Sequence, residues 1–275
     1  MYVAKENTMF TGDSKEPKPH TSFSQIDTYQ QCPRKWAFKY VYKLERERLS
    51  HYLIFGSAIH TVLARIYAKK MLSNAPTAPE EAVDFWVEDF DRAIDDAEMS
   101  VDYGKTGYSD LQLLGMGMVE EFARLPLILE VVGVEKEFRA DITDPVTGEV
   151  MDKQMLGYLD ALVLVGGELV VHEHKTAARK WSDRKIADDL QASVYLWATG
   201  ASRLTFNVLM KTKVPRVDCH QTSRTEAEIE LALQSVVNGL KGQQAGLFEA
   251  KRVGPYGNHC ATCEFARQCE SRGPI

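Results

Sequence analysis

Asp160, Glu173 and Lys175 have the types and the spacing for metal-assisted chemistry on a phosphodiester. Asp160 closes the run LGYLD. Glu173 and Lys175 lie in VVHEHKT, with Gly166 and Gly167 between the two runs. Both runs are aliphatic and β-branched, and a Gly-Gly pair between such runs is a tight-hairpin signal. Counting back from that turn puts Glu173 roughly opposite Asp160. Residues two apart on a strand share a face, so Glu173 and Lys175 project together, with His174 between them on the other side. Two carboxylates on one face repel each other and invite a hard cation such as Mg²⁺ or Mn²⁺. A lysine beside them can orient or deprotonate an attacking water, or stabilise negative charge developing on phosphorus. An exposed salt bridge at a strand end would use the same residues without chemistry.

Two helical positions join this set. Gln191 and Tyr195 stand at i and i+4 in QASVYLW, so they share a helix face that can point back at the sheet, or simply pack there. His60, in FGSAIHTVL, is either a structural histidine or a ligand.

Cysteine forms a second constellation. Five are present, an odd number that argues against a disulfide framework and for a reducing compartment. Cys260, Cys263 and Cys269 crowd into the C-terminus as C-x2-C-x5-C. Three thiolates do not complete a four-ligand site, and Cys32, in QQCPRKW, is the candidate for the fourth. The spacing alone leaves zinc and an iron–sulfur cluster open. Cys219 reads as a packed strand cysteine.

The elements that must position these residues are legible from periodicity. Residues 1–20 read as a flexible arm. The stretch 22–48 is helical with a new piece beginning at Pro33. Helices are also predicted over 54–72, 79–99, 111–129, 186–198 and 226–240, and strands over 131–140, 154–165, 168–174, 204–211 and 216–220. A helical first half followed by strands and helices implies one α/β domain with a helical insertion.

Composition narrows the class of partner. Hydrophobic residues make up 44% and charged residues 26%, ordinary for a globular chain. The best apolar run, 161–171, is broken by Gly166, Gly167 and Glu168, well short of the roughly 20 residues a bilayer span needs. The N-terminal stretch has no apolar signal core. A net charge of −6 argues at face value against nucleic acid. Yet residues 80–102 hold ten acids and one base, so the rest of the chain is slightly basic. Two basic stretches, 33–48 and 179–185, carry interleaved aromatics (Trp36, Phe38, Tyr40, Tyr42, Trp181), the pattern of a strand-binding channel.

The ordered set SFSQIDTYQQCPRKWAFKYV, GSAIH, GYLDALV, VVHEHKT, QASVYLW and C-x2-C-x5-C resembles the PD-(D/E)XK nuclease superfamily, in its RecB/AddB-like branch, which includes the CRISPR-associated adaptation exonucleases. The resemblance covers residues 22–269. It implies a restriction-endonuclease-like core, a central mixed sheet flanked by helices, with a helical N-terminal insertion and a C-terminal Fe–S-bearing tail. It implies a single domain over 21–275, in which 21–50 and 255–275 are joined by the cluster, 74–130 form the insertion and 131–222 the catalytic core. It assigns Cys32, Cys260, Cys263 and Cys269 to a [4Fe–4S] cluster. His60, Asp160 and Glu173, with the backbone carbonyl of His174, correspond to the ligands of Mg²⁺ or Mn²⁺. Lys175 corresponds to the catalytic lysine, and Gln191 and Tyr195 to a motif that orients it or the substrate. Of Glu135 and Glu137, two candidates for a further site acid, Glu137 is favoured. Leu159 replaces the proline of the superfamily's name.

The implied activity is metal-dependent hydrolysis of DNA, foremost as an exonuclease on single-stranded ends in recombination, repair, phage DNA processing or CRISPR adaptation. The alternatives are a duplex or structure-specific endonuclease and a non-catalytic Fe–S DNA-binding subunit. No G-x4-GK[ST] signature is present, so a helicase or CRISPR partner would be a separate protein. A cytoplasmic location is expected, with no membrane partner.

Overall fold

The computed structural model describes residues 18–45, 49–97, 101–103, 106–251, 260 and 263–271. The expected arm over 1–20 therefore falls mostly outside the described residues, and its end is not an arm. β1 (His20–Thr21) pairs in parallel with Gln154 and Met155, and Lys18 bonds Asp141 at 2.9 Å.

The first helical stretch breaks where its sequence requires. α1 (Phe23–Gln31) is capped by the Ser22 hydroxyl, which accepts from the Gln25 amide. Proline then opens α2 (Pro33–Trp36), which runs into a short π-helical turn over Ala37–Val41. β2 (Leu49–Ser50) leads into α3 (His51–Ser73), capped by Ser50 and ended by Asn74 in the left-handed conformation. α4 (Pro79–Asp95), β3 (Val101–Asp102) and α5 (Tyr108–Ala123) complete the helical half.

The sheet follows. β4 (Glu130–Thr143), β5 (Val150–Val165) and β6 (Glu168–Ala177) are antiparallel neighbours. Gly166 and Gly167 close the β5–β6 hairpin with φ of 60° and 84°, which glycine adopts without the cost a side chain would add. After α6 (Asp183–Ala187) and α7 (Leu190–Thr199), β7 (Arg203–Met210) pairs in parallel with β6, and β8 (Arg216–Thr222) lies antiparallel to β7. α8 (Glu226–Gln244) and α9 (Ala266–Ser271) end the chain. The sheet is mixed, as expected.

Alternation along the strands sorts the core onto two faces. Leu162, Val171, Leu204, Phe206 and Val208 join α1, α7 and α8 on one side. Ala161, Val163, Val170 and Leu209 join α3, α4 and α5 on the other. The result is an α/β/α sandwich with the sheet as its middle layer.

Charge on the acidic helix is partly internal. Asp89 is 4% exposed and accepts from Arg65 and Arg92 at 3.1 Å each. The basic stretch 33–48 departs from expectation at two of its four aromatics, whereas Tyr40 is half-buried and Tyr42 exposed. Trp36 and Phe38 are buried, against Tyr29 and Phe248 and against Phe265 respectively. These aromatics are core rather than a channel wall. Trp181 is likewise buried, beneath the Lys185 ammonium at 3.9 Å.

α4 and α5 meet where Gly115 faces Trp86, whose indole donates to the Gln112 carbonyl at 3.0 Å. A Cβ on Gly115 would overlap that ring. Gly115→Ala is expected to lower stability by about 1–3 kcal/mol through overpacking, read as a lower midpoint in denaturant at unchanged slope.

Candidate active site

The β5–β6 ladder pairs Val165 with Glu168 and runs back to Ala161 opposite His172. It ends there, one step short of Asp160 and Glu173. Beyond that point the edge of β5 that β6 leaves is taken up by β1, β4 holds the opposite edge, and β6 continues alongside β7. The two strands part where the two carboxylates emerge, and side chains from both helical layers reach the gap.

Asp160 bridges the parting. Its Oδ2 accepts from the backbone N–H of His174 at 2.6 Å, and its Oδ1 lies 3.0 Å from Nδ1 of His60 on α3. Burial opposes its charge, but the His60 bond and the charge-favouring surroundings win and hold Asp160 at about 2. Burial likewise opposes protonation of His60, and the Asp160 bond raises it nonetheless.

Glu173 is 3% exposed. Its Oε1 accepts from Lys175 Nζ at 2.6 Å and from Gln191 Nε2 at 2.8 Å. Gln191 Oε1 in turn accepts from Lys175 Nζ at 2.7 Å. The three side chains close a ring of hydrogen bonds on the α7 side of the sheet. Burial first, then the nearby Asp160 charge, pushes Glu173 up to about 7 against the pull of Lys175. For Lys175 the balance is reversed: burial works against the ammonium, and Glu173 more than restores it. Glu173 Oε2 is buried with no hydrogen-bond partner.

Tyr195 stands on the same helix face as Gln191 but does a different job. Its hydroxyl donates to the Tyr158 carbonyl on β5 at 3.3 Å, and its ring packs edge-on against Phe138. It anchors β5 behind Lys175 and Glu173, and its side chain also interacts with Gln191.

The preference for Glu137 is corrected. Glu137 accepts from Arg139 and Tyr158 on the exposed sheet surface, which lowers its pKa. Glu135 falls between the pairs Val134–Ala161 and Lys136–Leu159, hence across from Asp160. Partial burial raises its carboxyl, and the charge of Asp160 raises it further. Its φ of 46° marks an irregularity in β4 at this point.

A buried polar set behind β6 was not foreseen. His172 and His174 project together toward α3 and α5. Tyr67 Oη is 2.7 Å from His172 Nδ1, and Asn207 Nδ2 is 3.3 Å from His174 Nδ1. Cys219, expected to be packed, is exposed as a residue, with its Sγ donating to Asn207 at 3.3 Å. The alternation in HEHKT was the available signal, since it puts both imidazoles on one face.

The donor set suits a cation in chemistry: two carboxylates, one with an orphaned buried oxygen, and an imidazole. Among the described residues no three His, Cys, Asp or Glu side chains already converge on one point; His60 and Asp160 satisfy each other instead. The cysteines lie elsewhere. Cys32, Cys260, Cys263 and Cys269 line one cavity of about 300 Å³, with Arg34, Lys35 and Lys251 also at its wall. Burial raises the Cys263 thiol, and the Lys35 charge lowers it.

The parting strands thus bring two carboxylates beside a lysine at one place in the sheet. The chain belongs to the PD-(D/E)XK nuclease superfamily, whose family model matches residues 20–270. Members of this superfamily are nucleases that typically use divalent metals such as Mg²⁺ or Mn²⁺. Among solved structures, it is similar to a candidate exonuclease from Eubacterium rectale at 12% identity, covering 90% of this chain and 87% of that one with a TM-score of 0.50. It is also similar to the protein designated SSO0001 at 13% identity, covering 90% and 93% with a TM-score of 0.40. No curated protein matches the chain. Among the described residues no helix is long and apolar enough to cross a membrane.

Burial holds His172 down at about 4, against about 6.5 for an exposed imidazole. A histidine kept neutral in the fold takes up a proton only on unfolding, so its contribution is intact above about 6.5 and lost progressively as pH falls toward 4. Relative to a His172→Gln variant, the wild type is expected to lose up to roughly 3 kcal/mol over that window. Thermal melts of both proteins across the window check this, and parallel curves would contradict it.

Proposed function

We propose that the chain is a metal-dependent deoxyribonuclease that trims single-stranded DNA from an end. The observation that carries the reading is Glu173. Its Oε1 is fixed by Lys175 and Gln191, and its Oε2 is buried, unpartnered and beside the Asp160 gap. A buried carboxylate oxygen left without a donor is costly unless a cation takes that place.

Asp160, Glu173 and His60, with the backbone carbonyl of His174, are the groups that would hold the ion. When bound, a divalent cation polarises the scissile phosphate and lowers the pKa of a water on it. Lys175 is held by two acceptors, so its ammonium has one fixed direction in which to meet a water or a phosphate oxygen. Gln191 keeps that direction by accepting from Lys175 and donating to Glu173. Tyr195 fixes β5, and the His174 amide fixes the Asp160 carboxylate. Glu135 adds a carboxylate across from Asp160. The exonuclease mode is supported by the resemblance of the ordered motifs to the RecB/AddB-like branch. Roles in recombination, repair, phage DNA processing or CRISPR adaptation, and a separate helicase partner, rest on that resemblance alone.

Asp160→Ala and Lys175→Ala are each expected to reduce Mg²⁺- or Mn²⁺-dependent degradation of end-labelled single-stranded DNA by at least about 10²-fold, the scale of a lost charge-stabilising group. Full activity in both variants would falsify the assignment. Internal cuts in circular single strands would replace the exonuclease by an endonuclease.

The four cysteines are read as ligands of a [4Fe–4S] cluster that ties the N-terminal helices to the C-terminal tail. Their common cavity and the basic side chains of its wall support this, because thiolates need positive surroundings. Protein purified without oxygen is expected to be brown, to contain iron and sulfide, and to lose both in Cys263→Ala. Colourless protein containing zinc would replace the cluster by a zinc staple.

A further inference from the structure

The N-terminal half of α3 carries a glycine that neither the fold nor the packing asks for. Gly56 lies in the interior of α3, where glycine costs about 1 kcal/mol relative to alanine. Its φ is not positive, unlike that of the turn glycines. A Cβ added to it meets nothing within 4 Å among the described residues. The remaining physical use of a missing side chain is close approach by something from outside.

Its neighbours say what that is. Tyr52, Gly56 and His60 follow at four-residue spacing, so they form one ridge on the helix. The ridge ends at the active site through the His60–Asp160 bond. At its other end Tyr52 is 61% exposed and Leu53, beside it, 55%. Large exposed aromatic and aliphatic side chains this close to a site call for a partner. Lys211 Nζ lies 5.1 Å from the Tyr52 ring centroid. The Lys211 amide donates to the Ala177 carbonyl at 2.7 Å, which fixes this cation at the end of β6 that carries Lys175. An aromatic face, a cation and a bare stretch of helix thus lead in line to the carboxylates, over about 12 Å of helix.

We propose that this ridge is the path by which an unpaired DNA strand enters the site. The Tyr52 ring stacks on a base, Lys211 faces the phosphate charge, and the sugar–phosphate chain crosses α3 at Gly56. Stacking of this kind needs an unpaired base, because paired bases hide their faces. The inference rests on the nuclease reading and adds to it the route and the contacts by which the single strand reaches the site.

The test is binding of a fluorescent oligothymidylate to the full chain without added divalent cation, alongside thermal melts. Tyr52→Ala is expected to weaken binding about tenfold, the scale of one lost base stack, and Tyr52→Trp to retain it. Gly56→Leu is expected to weaken binding similarly while melting at or above the wild-type temperature. Wild-type affinity in both Tyr52→Ala and Gly56→Leu overturns the proposal and leaves the nuclease reading standing. A lowered melting temperature in Gly56→Leu marks the glycine as a packing position and also overturns it. A wild-type protein that neither binds nor degrades single strands overturns both.

Discussion

The site depends on one carboxylate standing where two strands come apart. Asp160 is the first residue of β5 beyond the β5–β6 ladder, and it replaces the missing backbone bond with a side-chain one to the His174 amide. The same carboxylate reaches α3 through His60. One group therefore joins β5, β6 and the helical layer behind them. A charge-assisted bond from a backbone N–H is among the stronger single hydrogen bonds in a protein, and it is sequestered from water here. Without it, the parting strands would leave an amide unpaired and the two acids with no fixed separation.

Around that group the charges are arranged unequally. Asp160 is stabilised as an anion by His60 and by the His174 amide, whereas Glu173 is deeply buried beside it and shares a single oxygen with two donors. Two neighbouring carboxylates with opposed shifts divide the labour between them. The firmly ionised one fixes geometry. The one pushed toward neutrality retains an unsatisfied oxygen and the capacity to gain from a cation. Glu173, with smaller help from Asp160 and Asp189, raises the Lys175 pKa against the burial that opposes its charge.

Much of this was legible in the residues. The Gly-Gly turn fixed the hairpin count, and the count placed Glu173 and Lys175 on one face near Asp160. Pro33 marked the break between the first helices. What periodicity missed has identifiable causes. Glu135 and Glu137 are two apart on β4, so alternation cannot choose between them; the cross-strand register does, by setting Glu135 across from Asp160. Trp36, Phe38 and Trp181 were read as a channel because aromatics among bases look alike in sequence whether their rings face solvent or a neighbouring helix. Their burial is decided by Phe206, Phe248 and Phe265, partners from distant parts of the chain, with Tyr29 from the preceding helix. The Tyr67–His172–Asn207–His174 set was invisible for the same reason.

Two of the buried unsatisfied groups sit on adjacent residues of one strand. Glu173 Oε2 and His174 Nε2 are both buried without partners, one on each face of β6. Each costs on the order of 1–3 kcal/mol, a large share of the margin by which a domain is stable. A strand can carry both only if its backbone is held independently of them. β6 is: it pairs with β5 on one edge and with β7 from Val170 to Ala177 on the other, and Val170 and Val171 bury into the two opposite cores. The sandwich therefore does more than surround the site. Its two apolar layers grip β6 on either side, so that the polar groups between them stay where packing and pairing, rather than their own hydrogen bonds, put them.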